Sequence, residues 1–303
     1  MRVNRKKRFY KQTRKQRILH AVMNWVMNIV LVVAGMVTLW LLLIVFCFSS
    51  FKIPTDSMQP TLQPGDNILV QKMSMGPRLF NIWAALDKEE VKIHRLPGIG
   101  SVKRNDVLVF NFPLSKDWSK IELDVMLYYA KRCIALPGDT LEVRNSVYQV
   151  RGVKEPLGDI NQQYAMRRLK LDTLDDGVAN WNPRISGWTM HEAGPLIIPR
   201  KGNIIWMNRL TGEMYGRLIE WEQGKKMKIE GDTVLLAGHV LPEYRFMKNY
   251  YFMAGDYCED SMDSRYWGLV PEEYIVGKAF IIWRSVDPHS GKFRWDRFLK
   301  WIN

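Results

Sequence analysis

Three short stretches of this chain concentrate side chains able to exchange protons with a reacting group. They are Pro54-Thr55-Asp56-Ser57-Met58-Gln59-Pro60-Thr61-Leu62, Tyr129-Ala130-Lys131-Arg132-Cys133-Ile134-Ala135-Leu136-Pro137-Gly138-Asp139, and Gly255-Asp256-Tyr257-Cys258-Glu259-Asp260-Ser261-Met262-Asp263-Ser264-Arg265-Tyr266-Trp267-Gly268. A serine becomes a useful nucleophile only when a neighbouring group takes its proton. Histidine is the usual base, and the chain has five: His20, His94, His191, His239 and His289. None of them stands in a recognisable triad setting, and neither a G-x-S-x-G elbow nor an H-E-x-x-H metal helix is present. A lysine can do the same work where apolar surroundings lower its pKa by several units, so that the neutral amine exists at working pH. Lys131 suits that role because it heads the apolar run Cys133-Ile134-Ala135-Leu136. Beside Arg132 it suits a solvated surface charge equally well, and spacing alone leaves both readings open.

Together and in this order, the three stretches resemble the motifs of the type I signal peptidases (leader peptidases), membrane-anchored serine proteases that use lysine in place of histidine. The resemblance implies Ser57, in S-M-x-P-T-L, as the nucleophile and Lys131, in K-R-x-x-x-L-P-G-D, as the general base. It implies that Ser261, in G-D-N-x-x-x-S-x-D-S-R, orients the lysine, with Asp263 and Arg265 supporting the loop as an ion pair. It assigns the oxyanion to the backbone N–H of Ser57 and the hydroxyl of Thr55; the plainer reading of Thr55 is an ordinary turn residue. Ile53 and Met58 are expected to line shallow apolar pockets, against the plainer reading of core side chains. The mechanism needs no cofactor, and no metal is implied.

A fourth stretch, Arg104-Asn105-Asp106-Val107-Leu108-Val109-Phe110, resembles the box R-G-D-V-x-V-F and is expected to be structural. Asn105 replaces a glycine there, and asparagine tolerates left-handed backbone angles better than most residues. Two departures stand out. Asp56 precedes the serine where a small residue is common, and its charge is expected to raise the pKa of a nearby lysine. The segment Tyr257-Cys258-Glu259-Asp260 has drifted from the family's pattern. The family arrangement also brings Cys133 and Cys258 close, so a disulfide bracing the site is weighed against two unpaired thiols.

The elements that must position these groups begin with an anchor. From Ile29 to Phe48 there is no charged residue, and such a run is long enough to cross a hydrocarbon core of about 30 Å. The apolar run is longer than that of a cleavable signal peptide and runs into Cys47-Phe48-Ser49-Ser50-Phe51-Lys52, so it reads as an uncleaved anchor. Residues 1–17 hold nine Lys/Arg and no acid; without them 35 basic residues face 31 acidic ones, so most of the +13 net charge is an N-terminal address rather than a nucleic-acid surface. Positive charge ahead of the helix predicts a single-pass inner-membrane protein with its N-terminus in the cytoplasm and its body outside. The nine residues from Phe48 to Ser57 reach at most about 30 Å, which keeps the serine near the outer surface.

Turn signals at Pro54, Pro60 and Pro64-Gly65-Asp66 alternate with apolar runs at 67–72, 107–112, 131–135, 250–253 and 275–283, which read as strands. Thr140 to Val150 reads as a hairpin turning at Asn145-Ser146. The fold class is therefore mainly β. The expected plan is a basic cytoplasmic segment 1–24, an anchor 25–48, a catalytic body 49–150 and 250–286, an inserted β-rich lobe 151–249 and a C-terminal amphipathic helix 287–303. That helix is drawn from Trp295, Phe298, Leu299 and Ile302 at i, i+3, i+4 and i+7. The function expected is removal of signal peptides from exported preproteins after small residues at −1 and −3, with preproteins and the lipid bilayer as partners and no nucleic acid. An inactive anchored homologue serving as a binding or assembly factor is the alternative.

Overall fold

The computed structural model describes residues 14–87, 91–114, 118–168 and 186–302. Two compact units divide the chain, Met1–Phe46 and Cys47–Asn303. The expected basic segment lies outside the described residues up to position 13. In the first unit the described chain is helical from Arg14 to Leu42, and the winding widens to a π-helix over Leu43–Cys47. Within it Arg17–Leu42 is 26 residues long and apolar enough to cross a membrane, with its large side chains exposed, Trp25, Leu31 and Val32 among them. A helix that is apolar on every side and that no other described residue of its own unit covers is suited to a lipid surround.

The second unit is built on an eight-stranded sheet. Its strands are Phe48–Lys52 (β1), Asp66–Gln71 (β2), Val107–Asn111 (β3), Tyr128–Ala135 (β4), Tyr250–Ala254 (β5), Val270–Pro271 (β6), Ile275–Ser285 (β7) and Lys300–Trp301 (β8). They lie in the order β1-β2-β7-β3-β4-β5-β6, with β8 added to β7. The 11-residue β7 bends the sheet. Its pairing breaks register between Ile275 and Gly277, Ala279 and Ile281, and Ile282 and Arg284, so its first part pairs with β3 and its later part with β2. Each break inserts a local kink and extra twist, which is how a sheet curls. At Gly277 a Cβ would sit 2.2 Å from the Gln71 carbonyl oxygen, so only glycine lets β2 cross that closely.

Every residue of β3 is buried, because the sheet has a core on both faces. Val107 and Val109 join Ile53, Met58, Leu62, Ile68, Val276 and Ile302 in the smaller core, while Leu108 and Phe110 face the larger one. In the larger core Trp267 is only 2% exposed. Its ring packs edge-on against Phe112 at 5.2 Å, Tyr129 at 5.3 Å and Phe110 at 6.3 Å.

The strands read from sequence are found, most of them within two residues of the expected ends. The hairpin is Thr140–Arg144 with Val147–Val150, and both Asn145 and Ser146 have positive φ, as a two-residue hairpin turn demands. The helix Arg209–Gln223, in the stretch expected to be β-rich, was not foreseen. Gly212 and Gly216 break its apolar pattern, and both are there for space: a Cβ on either would press into Ile229 and Val234 or into Met227. Its ends were nevertheless written in the chain, as the Asn208/Thr211 capping box and a left-handed Gly224.

The expected C-terminal amphipathic helix is absent. Residues 295–297 form one 3₁₀ turn and Lys300–Trp301 pairs with β7. The apolar spacing failed as a guide because a buried charge wins: Arg297, on the predicted polar face, is 3% exposed against Asp66, while Trp295 and Leu299 stay exposed.

Replacing Trp267 with alanine should cost about 3–5 kcal/mol in chemical unfolding, the usual cost of emptying an aromatic core site. Trp267→Phe should cost clearly less, since the indole N–H it deletes is buried without a hydrogen-bond partner among the described residues.

Candidate active site

Ser57 sits in the compact turn that joins β1 to β2. Gln59 N–H donates to the Asp56 carbonyl at 2.7 Å and Leu62 N–H to the Met58 carbonyl at 2.8 Å, so the turn is internally closed. Ile53, Met58 and Leu62 root it in the smaller core. Lys131 is at mid-strand in β4, opposite Leu108, and is 1% exposed. Its Nζ lies 2.6 Å from Ser57 Oγ and 3.0 Å from Ser261 Oγ.

Ser261 donates its one hydroxyl proton to Asp263 Oδ2 at 2.8 Å. Toward Lys131 it is therefore an acceptor, which fixes one N–H of the amine. Asp263 is completely buried and also takes hydrogen bonds from Gly255 N–H and from Arg265 Nε and Nη2. Burial alone would raise its pKa, but the Arg265 charge and hydrogen bonds, Lys131 and the Gly255 N–H outweigh burial and hold the carboxyl below its ordinary value.

Lys131 is lowered to about 8. Removal from water is the largest cause, and Arg265 pushes the same way, while Asp263, Asp256 and Asp260 oppose it. The acids with the largest effect on the lysine thus come from the third stretch, and Asp56 is not one of these.

The third stretch meets the nucleophile directly. Tyr257 N–H donates to the Ser57 carbonyl at 3.2 Å. A Cβ on Gly255 would lie 2.1 Å from Ser261 Oγ and 2.5 Å from Ser57 O, so the approach of the two serines requires glycine. Arg132, one residue past the lysine, grips Asp256 with two bonds of 2.7 Å and reaches the Asn105 carbonyl at 2.7 Å and Thr61 Oγ1 at 3.1 Å. One guanidinium thereby joins all four quoted stretches.

The fourth stretch is a brace. Asn105 takes φ +68°, the left-handed angle a glycine would have supplied, and its side chain holds the Pro156 carbonyl and the Gly158 N–H. Arg104 forms a two-bond pair with Asp139. Cys133 and Cys258 are both unpaired and buried, so the bracing disulfide is not formed. Each sulfur lies instead against carbonyl oxygens of its own segment, Ala135 for Cys133 and Gly255 and Asp256 for Cys258. Burial pushes the Cys258 thiol up to about 12.

A cleft of about 240 Å³ opens at the serine, and Ile53, Met58, Thr55 and Ser57 all border it. Thr55 is exposed there. Ile53 and Met58 are 5% and 2% exposed, so they are core side chains and cleft lining at once. The Ser57 N–H has no partner among the described residues.

The family model for signal peptidase, peptidase S26, matches residues 22–284. The chain belongs to this family. It is 31% identical over 252 residues to the signal peptidase I of Pseudomonas aeruginosa, a match covering 79% of this chain and 66% of that protein. It is 30% identical over 255 residues to that of Pseudomonas fluorescens, with 79% and 66% covered. With the signal peptidase I of Buchnera aphidicola subsp. Acyrthosiphon pisum it shares 28% over 262 residues, covering 82% and 72%. The matched region thus spans just under two thirds of the length of the two Pseudomonas relatives.

The family motifs carried Ser57, Lys131, Ser261, Asp263 and Arg265 into one hydrogen-bonded chain. Sequence reasoning missed the structural load on Arg132, Asp256, Thr61 and Gly255, although all four lie inside the stretches it quoted. It also missed the far wall of the cleft, Phe51, Val109, Tyr128, Tyr129 and Ala130. The only signal for that wall was strand alternation around Lys131, which cannot say what a strand edge faces.

With ¹³C-methylated lysines, NMR should find one amine, assigned by its loss in Lys131→Arg, titrating near pH 8, well below the ordinary lysine value of about 10.4. In Asp263→Asn its pKa should fall further, because an opposing carboxylate is lost and the buried Arg265 charge stays.

Proposed function

We propose that this protein is a membrane-anchored serine endopeptidase that removes N-terminal signal peptides from exported preproteins, with Ser57 as nucleophile and Lys131 as general base. One observation carries the reading: the unbroken chain Ser57–Lys131–Ser261–Asp263 around a lysine held out of water.

The neutral amine of Lys131 donates one N–H to Ser261 and turns its lone pair toward Ser57 Oγ. It takes the hydroxyl proton as that oxygen attacks the scissile carbonyl. The tetrahedral oxyanion is received by the free Ser57 N–H and the Thr55 hydroxyl at the cleft margin. The ammonium then returns its proton to the departing amine, leaving an acyl ester on Ser57. A water, deprotonated by the same lysine, releases it. Asp263 stays ionised throughout, since its charge is committed to Arg265.

The substrate is held as an extended strand. β1 is the last strand at its end of the sheet, and β5 pairs with β4 only from Arg132 to Ala135, so Tyr128 to Lys131 keep one free edge. These edges border the same cleft and offer backbone partners on both sides of a peptide. Ile53, Met58 and Ala130 leave room beside the serine for small side chains, which supports a preference for small residues at −1 and −3. In this reading the 26-residue span Arg17–Leu42, with the basic N-terminus ahead of it, anchors the chain in the inner membrane with its body outside. Residues 49–150 and 250–286 form the catalytic body, with 151–249 inserted.

The test is cleavage of a purified secretory preprotein in detergent, with N-terminal sequencing of the product. Wild type should cut after a small-x-small site, and Ser57→Ala and Lys131→Ala should lose at least about 10⁴-fold in kcat while remaining folded. Because the base must be neutral, the rate should rise with pH through about 8, and Asp263→Asn, where it retains activity, should shift that limb to lower pH. If all three proteins are inert, an inactive anchored scaffold replaces this reading; if all three cut alike, the Ser57–Lys131 assignment is wrong and the active site lies elsewhere.

A further inference from the structure

Thr61 is held from two sides by different arginines. Its hydroxyl accepts from Arg132 Nη2 at 3.1 Å and its carbonyl from Arg297 Nη2 at 2.9 Å. The two arginines come from unrelated parts of the chain. Arg132 follows the lysine on β4 and is otherwise bound to Asp256, one residue beyond the glycine that spaces the serines. Arg297 comes from the C-terminal 3₁₀ turn, is 3% exposed, and also forms a two-bond pair with Asp66, which is fully buried.

Thr61 is four residues past Ser57, and the next residue, Leu62, closes the turn onto Met58. The segment around Arg297 grips this turn elsewhere too: Arg294 donates to Gln63 Oε1 at 2.7 Å, and Ile302 packs in the same core as Met58 and Leu62. Ser57 itself has few restraints of its own, so the place of its Oγ relative to Lys131 is set by how its turn is held. Among the described residues, Thr61 is the one member of that turn bonded both to the strand that carries the base and to the C-terminal segment.

We propose that Thr61 is a positioning residue for the reaction, clamped between Arg132 and Arg297, and that the C-terminal segment is thereby part of the catalytic assembly. This rests on the peptidase reading above. Thr61 acts through the position of Ser57 and touches neither substrate nor the lysine. Its loss should lower kcat and leave both KM and the pKa of the rate profile in place.

The experiment measures kcat, KM, the pH profile and the thermal midpoint of the full-length protein in detergent. In Thr61→Val, which keeps shape and removes the hydroxyl, kcat should fall about 10- to 100-fold, the scale expected for a sub-ångström to 1 Å displacement of a reacting group. KM and the apparent pKa should not move, and Thr61→Ser should restore kcat. The double variant Asp66→Asn with Arg297→Met removes both buried charges together, so neither is left unpaired, and should show the same loss confined to kcat. Ser290→Ala, in an exposed turn ahead of Arg294 and outside the contacts with the Thr61 turn, serves as an unaffected control. A fully active Thr61→Val beside an inactive Ser57→Ala overturns the clamp and leaves the peptidase reading intact. A loss in Thr61→Val that follows KM or the thermal midpoint, or that serine does not rescue, also overturns it. A folded, fully active double variant overturns the part assigned to the C-terminal segment. Cleavage by Ser57→Ala overturns the peptidase reading and this role with it.

Discussion

The removal of one lysine from water is the constraint on which the site depends. A buried ammonium is costly unless it is paired, and it escapes that cost by releasing its proton. An adjacent free carboxylate would cancel the effect by pairing with the ammonium and raising its pKa. The nearest acid, Asp263, is one hydroxyl away, and its charge is answered by Arg265. Ser261 stands between them, so Asp263 orients the amine through a hydroxyl instead of pairing with it, and its charge offsets only part of the effect of burial. The placement reconciles two demands that conflict in water: the amine must be held by hydrogen bonds, and it must be easily deprotonated.

The sheet supplies the dry surroundings. Lys131 sits opposite Leu108, on the strand whose neighbour β3 is buried along its whole length, and Trp267 closes the aromatic cluster over Tyr129, two residues away on the same strand. The third stretch does two things at once, since Asp263 caps the four-residue helix that carries Trp267 while accepting the Ser261 proton. Packing and chemistry therefore share residues, and a change made for one is felt by the other. The same economy appears at Ile53 and Met58, which fill the smaller core with one side and border the cleft with the other.

How much of this was legible in the chain depended on the range of the interaction. Alternation and turn residues gave the strands and the Asn145-Ser146 hairpin because those signals act over a few residues. Motif order singled out Ser57, Lys131 and Ser261, and the fold brings the three within hydrogen-bond distance. Adjacency in sequence drew attention to Asp56, whereas the acids with the largest effect on the lysine come from positions 256 to 263. The thiols of Cys133 and Cys258 misled, since proximity of segments says nothing of where each sulfur turns. The C-terminal helix failed because apolar period cannot register a polar side chain that is buried by an ion pair.

That failure is informative about the fold. A helix over 295–302 would have placed Arg297 in water and left Asp66 alone, fully buried, with Ser285 Oγ and the Gln63 N–H as its remaining partners. A buried carboxylate in that state is far more costly than the loss of one short helix, which is marginal by itself. The chain therefore gives up helical hydrogen bonds at its end and pairs as strand with β7. The gain is made at Asp66, where β2 begins. Asp66 follows directly on the turn that carries Ser57, so the interaction that decides the secondary structure of the last ten residues also decides how rigidly the nucleophile is presented.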